Sequence, residues 1–251
     1  IDELQIKPLP QELRGEASTR IAMAAKALGY DWYPQPKFMD PERSSKQNKE
    51  FKCHATTMLG CTCGGKWHAA EWVDEAVASG AELKTHARVG RVLTEAGKVA
   101  GVEGKIKGSR FVANAETVVL AAGGLGSPRI LQNSGFSRAG VGMAMDTTAM
   151  VYGFTNQKGT GMETPMTWSW ENDEEGYMLS TLTDPWLLYP LIAIKTGIRP
   201  AFRWFKWNKM LGTMIKLKDD ISGGVYPDGT ISKPLTDADQ RRLNSAYAVC
   251  K

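Results

Sequence analysis

The segment from Thr117 to Asn133 constrains the fold of this 251-residue chain more than any other. It opens with the apolar run TVVLAA, which predicts a strand buried on both faces, as in a parallel sheet. Glycines at 123, 124 and 126 follow, and Arg129 to Asn133 are predicted to form a short helix with Pro128 in its first turn. A strand, a glycine turn and a helix start make half of an α/β nucleotide-binding unit, because glycines allow close approach of a ligand and a helix N-terminus favours phosphate.

The remaining elements indicate a mixed α/β (α+β) fold. Apolar spacing predicts helices over 11–28 and 66–79, and Thr236 to Asp239 cap a final helix. Four β-rich runs between 83 and 115, two of them joined by Ala96-Gly97-Lys98, predict a small antiparallel meander. Further strands are expected over 147–155, 164–170 and 177–182, and Pro227-Asp228-Gly229 is expected to form a turn. The character changes after Gly142, so we expect one domain over 1–145 and a second over 146–251.

Composition excludes several classes of protein. The chain is 42% hydrophobic, which excludes a disordered chain, and its net charge of +4 is too small to imply a nucleic-acid partner. The longest apolar run, Trp186 to Ile194, would cover about 14 Å as a helix, whereas a bilayer core needs about 30 Å. With no secretory leader pattern and no disulfide framework, we expect a cytoplasmic protein.

The longer string from Ala121 to Gly135, AAGGLGSPRILQNSG, resembles the second signature of the glucose-methanol-choline (GMC) flavoprotein oxidoreductases. It departs from that pattern at Gly124, Phe136 and Ser137. The resemblance covers roughly residues 50–142 and extends loosely to the segment GGVYPDGTISKPLTDADQRRL. It implies that FAD is the cofactor. The residues it implies for cofactor binding are Val89, whose backbone would meet the adenine, Ala121, Ala122 and Gly123 beside the dinucleotide, and Gly126, Ser127 and Pro128.

The same resemblance implies a partial, Rossmann-like FAD-binding domain followed by a substrate or cap domain with an antiparallel sheet. It also implies oxidation of the CH–OH group of an alcohol-like substrate, in which a base takes the hydroxyl proton and the flavin takes the hydride. The aromatic and Met-rich second half favours an apolar substrate. The sequence contains no G-x-G-x-x-G after an N-terminal strand and no histidine after His86. We therefore assign no catalytic residue, and we expect another chain or further segments to complete the flavin site.

Cysteines and histidines leave a second hypothesis open. Cys53, Cys61 and Cys63, with His54 and His68, could bind zinc or an iron–sulfur cluster in an electron-transfer subunit. Seven residues separate the first two cysteines and one separates the last two, which fits the usual ligand spacing poorly. Small buried thiols in a glycine-rich loop, with no metal, are the favoured interpretation. His54, His68 and His86 are expected to be surface or structural histidines.

The stretch from Lys195 to Lys218 combines seven cations with aromatic and Met residues and contains no acid. It could contact a membrane surface or form an entrance for lipophilic substrates, because cations attract anionic headgroups and Trp prefers the interface. It could also form a subunit interface or an apolar lid. Single-stranded nucleic acid is disfavoured, because no RNA-binding motif accompanies the stretch. A non-catalytic subunit that keeps the flavoprotein fold and uses this stretch for assembly or membrane attachment is therefore an alternative.

Overall fold

The fold is seen in a computed structural model that describes residues 4, 6–46, 49–51, 60–184, 186 and 188–251. Its α-helices are α1 (Glu16–Ala27), α2 (Pro41–Lys46), α3 (Ala70–Ala78), α4 (Gly123–Asn133), α5 (Leu188–Ala193), α6 (Ile198–Ala201) and α7 (Asp237–Val249). Its strands are β1 (Lys7–Pro8), β2 (Tyr33–Pro34), β3 (Pro36–Lys37), β4 (Ala87–Glu95), β5 (Lys98–Ile106), β6 (Ser109–Asn114), β7 (Val141–Met143), β8 (Thr148–Phe154), β9 (Trp168–Asn172), β10 (Tyr177–Leu182), β11 (Met210–Leu217), β12 (Ser222–Val225) and β13 (Ile231–Ser232). The mixture of helices and antiparallel sheets confirms the predicted fold class.

The chain divides into two compact units. The first unit contains Ile1–Val73, Asp146–Lys218 and Gln240–Lys251, and the second contains Asp74–Met145 and Asp219–Asp239. The division into domains at residue 145 stays a prediction, because a compact unit and a functional domain need not coincide.

A five-stranded antiparallel sheet in the order β2-β9-β10-β11-β8 forms the first unit. Leu179 of the central strand faces Trp170 on one neighbour and Ile215 on the other. The core on this sheet consists of Ala22, Trp32, Trp168, Tyr177, Leu179, Ile215, Leu217 and Ala246, all nearly inaccessible to solvent. Since Ala22 lies on α1 and Ala246 on α7, these two helices pack against the sheet through small side chains. The predicted strands 147–155 and 177–182 are confirmed, whereas 164–170 is only partly right because β9 begins at Trp168.

The start of α1 depends on a carboxylate from a distant part of the chain. Gly15 has a φ of 86° and no side chain to cap the helix, which follows a short 3₁₀ turn. The buried Glu163 side chain caps it instead, because Oε1 accepts the Ala17 N–H at 2.7 Å and Oε2 accepts the Ser18 N–H at 2.9 Å. Oε2 also accepts the Ser18 hydroxyl at 2.8 Å. The predicted helix over 11–28 is therefore correct from Glu16 onward, and it ends before Gly29 as expected.

The aromatic and basic part of the first unit is a series of short helical turns. The helices α5 and α6 alternate with 3₁₀ turns at Ile194–Thr196 and Phe202–Lys209. A small core of Tyr189, Ala193 and Met210 fixes these turns to β8, since Tyr152 and Phe154 pack against it. Over the described part of the chain, no helix has both the length and the apolar character needed to cross a bilayer.

The second unit contains the predicted meander, β4-β5-β6, in antiparallel register. Ala96 and Gly97 join its first two strands with φ angles of 47° and 77°, the positive values of a two-residue hairpin turn. A register shift between Val89 and Arg91 leaves Gly90 unpaired with β5. The strand predicted at 83–86 is wrong, because these residues are exposed and irregular and find no pairing partner among the described strands.

A buried ion pair and a helix cap organise the rest of the second unit, around the sheet β13-β12-β7. Lys233 Nζ lies 2.9 Å from Asp219 Oδ2, and these side chains are only 6% and 4% exposed. Burial raises the pKa of Asp219, but the bonds from Lys233 and from the Met145 N–H outweigh it, so the pKa lies below its usual value. Thr236 and Asp239 exchange hydrogen bonds of 3.1 Å between side chain and backbone, which confirms the predicted cap of α7.

Candidate cofactor groove

The TVVLAA segment is not a strand, and this prediction is wrong. Residues 117–121 have no regular structure, and the side chain of Val119 is 85% exposed. A strand buried on both faces needs neighbours on each side and covering layers above and below. The described residues supply no strand next to this segment. An intrinsically β-forming sequence therefore remains an irregular, uncovered stretch along the edge of the second unit.

Helix α4 begins earlier than predicted. It starts at Gly123, so Pro128 lies inside the helix and not in its first turn. The sequence does not indicate a helix start at Gly123, because glycines are poor helix formers and are typical of turns. Ser127 accepts a hydrogen bond of 3.1 Å from the Ala122 N–H, which ties the residue before the helix to its second turn. A Cβ on Gly126 would lie 3.0 Å from that of Ala122, so the close approach of these two residues favours glycine.

A groove with a volume of about 900 Å³ lies between β4, the 117–122 segment and α4, entirely within the second unit. Its lining consists of Ala87, Arg88, Val89, Gly90, Val102, Thr117, Val118, Val119, Leu120, Ala121, Ala122, Leu125, Gly126, Arg129, Ile130 and Asn133. Four of the seven residues implied for cofactor binding, Val89, Ala121, Ala122 and Gly126, thus line one groove. Gly123, Ser127 and Pro128 lie beside them on α4 but are not part of the lining.

Hydrogen bonds fix the two walls of the groove to each other. At the C-terminal end of α4, the Ser134 hydroxyl accepts the Val92 N–H at 2.8 Å and donates to the Ile130 carbonyl at 2.6 Å. The Asn133 side chain donates to the Gly90 carbonyl at 3.0 Å. Gly90 is the residue left unpaired by the register shift, so its carbonyl is available for this contact. The wall that carries Val89 is therefore held at a defined distance from α4.

The start of α4 presents backbone to open space. Gly123 has a φ of 76°, which favours glycine, and a Cβ built on Gly123 or Gly124 would meet no atom within 4 Å. A ligand can therefore approach the backbone here without meeting a side chain. The first N–H groups of a helix also carry a partial positive charge that suits an anionic group. The open backbone and the helix N-terminus therefore leave space beside the groove for an anionic group.

Arginines that the motif analysis did not identify give the groove its charge. Arg88 and Arg129 are exposed and line it. Close by, the Glu103 carboxylate accepts hydrogen bonds of 3.0 Å from both Arg110 and Arg91. The bonds from Arg110 and Arg91 lower the pKa of Glu103 to about 2. The only sequence signal for these arginines was their position on the meander and on α4, next to residues already selected.

The cysteine and histidine residues lie elsewhere, in part outside the described residues. Cys61 and Cys63 bring their Sγ atoms within 3.8 Å, and Cys63 is buried beside Leu9 and Met39. His68 and His86 are exposed. Cys53 and His54 fall in the part of the chain that the structure does not describe. Within the described ranges, no three His, Cys, Asp or Glu side chains are grouped as metal ligands would be.

Comparison with known proteins adds an independent finding. A family model for GMC oxidoreductases matches residues 3–147, more than half of the chain. An uncharacterized GMC-type oxidoreductase of Mycobacterium tuberculosis, found in strains CDC 1551 and H37Rv, is 30% identical over 155 residues, or 60% of this chain and 23% of that protein. The 2-methyl-1,2-propanediol dehydrogenase of Mycolicibacterium austroafricanum is 30% identical over 125 residues, or 47% of this chain and 22% of that protein. The matched region therefore spans less than a quarter of the length of these relatives.

Proposed function

The chain belongs to the GMC oxidoreductase family, and on this premise we propose that it contributes the adenosine-binding part of an FAD site. The reaction would be oxidation of a CH–OH group in an alcohol-like, apolar substrate. The observation that carries the proposal is that one groove, of about 900 Å³, is lined by Val89, Ala121, Ala122 and Gly126. That volume lies within the range of small-molecule and cofactor sites.

The residues of the groove suit a purine nucleoside with a phosphate. Val89 would present its backbone to the adenine edge, because the neighbouring register shift at Gly90 interrupts the regular ladder with β5. Ala121, Ala122 and Gly123 would lie along the ribose, where their small side chains leave room. Arg88, a cation of the groove lining, would supply positive charge for the diphosphate, and Arg129, whose guanidinium lies near Asp228 and Gly229, would add to it. Gly126 would line the groove, while Ser127 and Pro128 would act indirectly, by holding the start of α4 in place.

FAD, when bound, supplies the hydride acceptor for alcohol oxidation. The residues of this chain would bind and orient its adenosine part, and no described residue is assigned as the base. One relative is named as a dehydrogenase of a diol, which supports a CH–OH donor as the substrate class. The Trp- and Met-rich first unit supports an apolar substrate, since such side chains form adaptable apolar surfaces.

The other half of the dinucleotide would be held by another chain or by further segments. The exposed Val119 supports this view, because an apolar β-forming segment beside a ligand groove is normally covered. Strands that another chain or a further segment added next to 117–122 would both cover this segment and close the groove. The alternative function, a non-catalytic assembly subunit, requires no nucleotide in the groove.

Nucleotide binding to the purified chain tests the proposal. We expect ADP and FAD to compete for one site, as measured by isothermal titration calorimetry and flavin fluorescence. Ala121→Glu places a carboxylate in the groove and should weaken both ligands by about tenfold or more, because it repels the diphosphate. Ala113→Glu is the matched control, an exposed alanine of the same unit on β6 and outside the groove lining. Equal affinities for the two variants, or no binding of either ligand to the parent chain, would overturn the proposal.

A further inference from the structure

The helical turns between residues 188 and 209 display a stripe of apolar side chains to solvent. The exposed fractions are 64% for Leu191, 57% for Ile194, 66% for Ile198, 68% for Phe202 and 82% for Phe205. They lie on successive short turns that Gly197, with a φ of 137°, divides into two groups, and each group presents an apolar face to solvent. In a monomeric protein such a face normally points to the core. Here it points outward, and we call these five residues the apolar stripe.

The opposite side of the same turns is firmly attached to the first unit. Tyr189, Ala193 and Met210 are 2%, 5% and 0% exposed and form a core with Tyr152 and Phe154. The Trp207 indole N–H donates to the Asp184 carbonyl at 2.8 Å, and the Trp204 indole N–H donates to the Trp186 carbonyl at 3.1 Å. The apolar stripe is therefore carried on an anchored support, with its outward orientation fixed by the packing beneath.

Positive charge surrounds the apolar stripe. The exposed cations beside it are Lys195, Arg199, Lys206 and Lys209, whereas the guanidinium of the exposed Arg203 lies over the Phe154 ring on the anchored side. The sequence contains no Asp or Glu between residues 185 and 218, so no carboxylate of this segment offsets them. The rings of Trp186 and Trp204, in the same segment, contact each other in a tilted arrangement with centroids 4.3 Å apart. Exposed apolar residues, intervening cations and Trp in the same segment are the features of a surface that lies in a membrane interface.

We propose that the apolar stripe and the exposed cations Lys195, Arg199, Lys206 and Lys209 form a docking surface for an anionic lipid bilayer. The apolar side chains would enter the boundary between headgroups and acyl chains, while the cations would contact lipid phosphates. A second copy of the chain is a poorer occupant, because a symmetric interface would bring two sets of cations together. An anionic bilayer offers apolar depth and opposite charge at once. The inference is independent of the flavin proposal, since it concerns the first unit alone.

Vesicle flotation with the full chain tests this proposal. We expect co-flotation with phosphatidylcholine vesicles that contain 30% phosphatidylglycerol, and at least tenfold weaker partitioning both to pure phosphatidylcholine and in 0.5 M salt. Lys206→Ala/Lys209→Ala should weaken binding by roughly fivefold for each cation removed. Phe202→Ser/Phe205→Ser should weaken it by at least tenfold, since two large side chains lose their apolar contact. Far-UV circular dichroism checks that each variant is folded.

The matched control is Phe136→Ser/Ile221→Ser, which removes two apolar side chains of the second unit that are 58% and 74% exposed. This variant should partition within twofold of the parent. Binding that is unaffected by Phe202→Ser/Phe205→Ser, or equal on neutral and anionic vesicles, overturns the proposal. Sedimentation velocity identifies the competing occupant, because a dimer that the same double variant dissociates, without vesicle binding, would assign the stripe to a second copy.

Discussion

Glu163→Gln is the sharpest test of how the first unit is held together. The Glu163 carboxylate is 7% exposed and accepts three hydrogen bonds at the start of α1, two from backbone N–H groups and one from the Ser18 hydroxyl. Glutamine keeps the shape but loses the negative charge, and its amide group would point one N–H donor at another. Bonds to a charged acceptor contribute about 1 kcal/mol more each than neutral ones. Loss of the helix-dipole interaction adds about 0.5–1 kcal/mol, so the three bonds and the dipole together predict a destabilisation of about 3.5–4 kcal/mol.

Urea unfolding followed by tryptophan fluorescence measures this loss, because every tryptophan of the chain belongs to the first unit. Glu16→Gln is the matched control, since it makes the same change at an exposed position in the first turn of the same helix. It should cost under about 0.5 kcal/mol. Gly15→Ala should also destabilise, because its Cβ would meet the Glu163 carboxylate at 2.2 Å, and its effect should shrink in a Glu163→Ala background, where the carboxylate is removed. If Glu163→Gln and Glu16→Gln differ by less than 0.5 kcal/mol, roughly the scatter of surface substitutions, the proposed cap is refuted.

Three further predictions concern the second unit. Burial opposes ionisation of Asp219, yet its hydrogen bonds hold the pKa below the usual 3.8, so the stabilisation is complete above about pH 4 and is lost as the pH falls through the depressed pKa. Asp219→Asn should remove this acid-dependent part of stability, as measured by denaturation at pH 3 and pH 6. The carboxyl carbon of Glu103 should titrate near pH 2 by NMR, and Arg110→Ala should raise that midpoint; a midpoint near 4.5 in the parent would contradict the paired geometry. Gly101→Ala should destabilise the meander by more than about 2 kcal/mol, since its Cβ would lie 2.1 Å from the Ala113 carbonyl, whereas Gly108→Ala, with open space around it, should cost about 1 kcal/mol. Hydrogen exchange of the β5 amides would show the difference.

Elements specified by nearby residues could be predicted from the sequence. The meander follows from alternating apolar residues and from the turn at Ala96 and Gly97, whose conformations depend on two residues only. The cap of α7 follows from Thr236 and Asp239, three residues apart. In each case the hydrogen-bond partner lies within a few positions along the chain. Short-range signals of this kind do not depend on the tertiary fold.

The predictions that were missed or wrong concern elements whose hydrogen-bond partners are remote in sequence or are not supplied by the described residues. The cap of α1 comes from Glu163, and no local pattern connects this residue to Ala17. The TVVLAA segment has the composition of a buried strand, but a strand exists only where neighbours provide hydrogen bonds. Val89 and Ala121, which line the groove, were selected only as an implication of the family resemblance, and their role in cofactor binding stays a prediction. The arginines of the groove, Arg88 and Arg129, could be identified only after the meander and α4 were seen together.

The uncovered TVVLAA segment has a practical consequence for work on the isolated chain. This segment has six successive residues without charge, proline or glycine, and Val119 within it is 85% exposed. Exposed segments of this composition are the ones that start cross-β assembly. Concentrated samples will therefore form amyloid-like aggregates from this segment, and a charged residue at position 119 will slow that process.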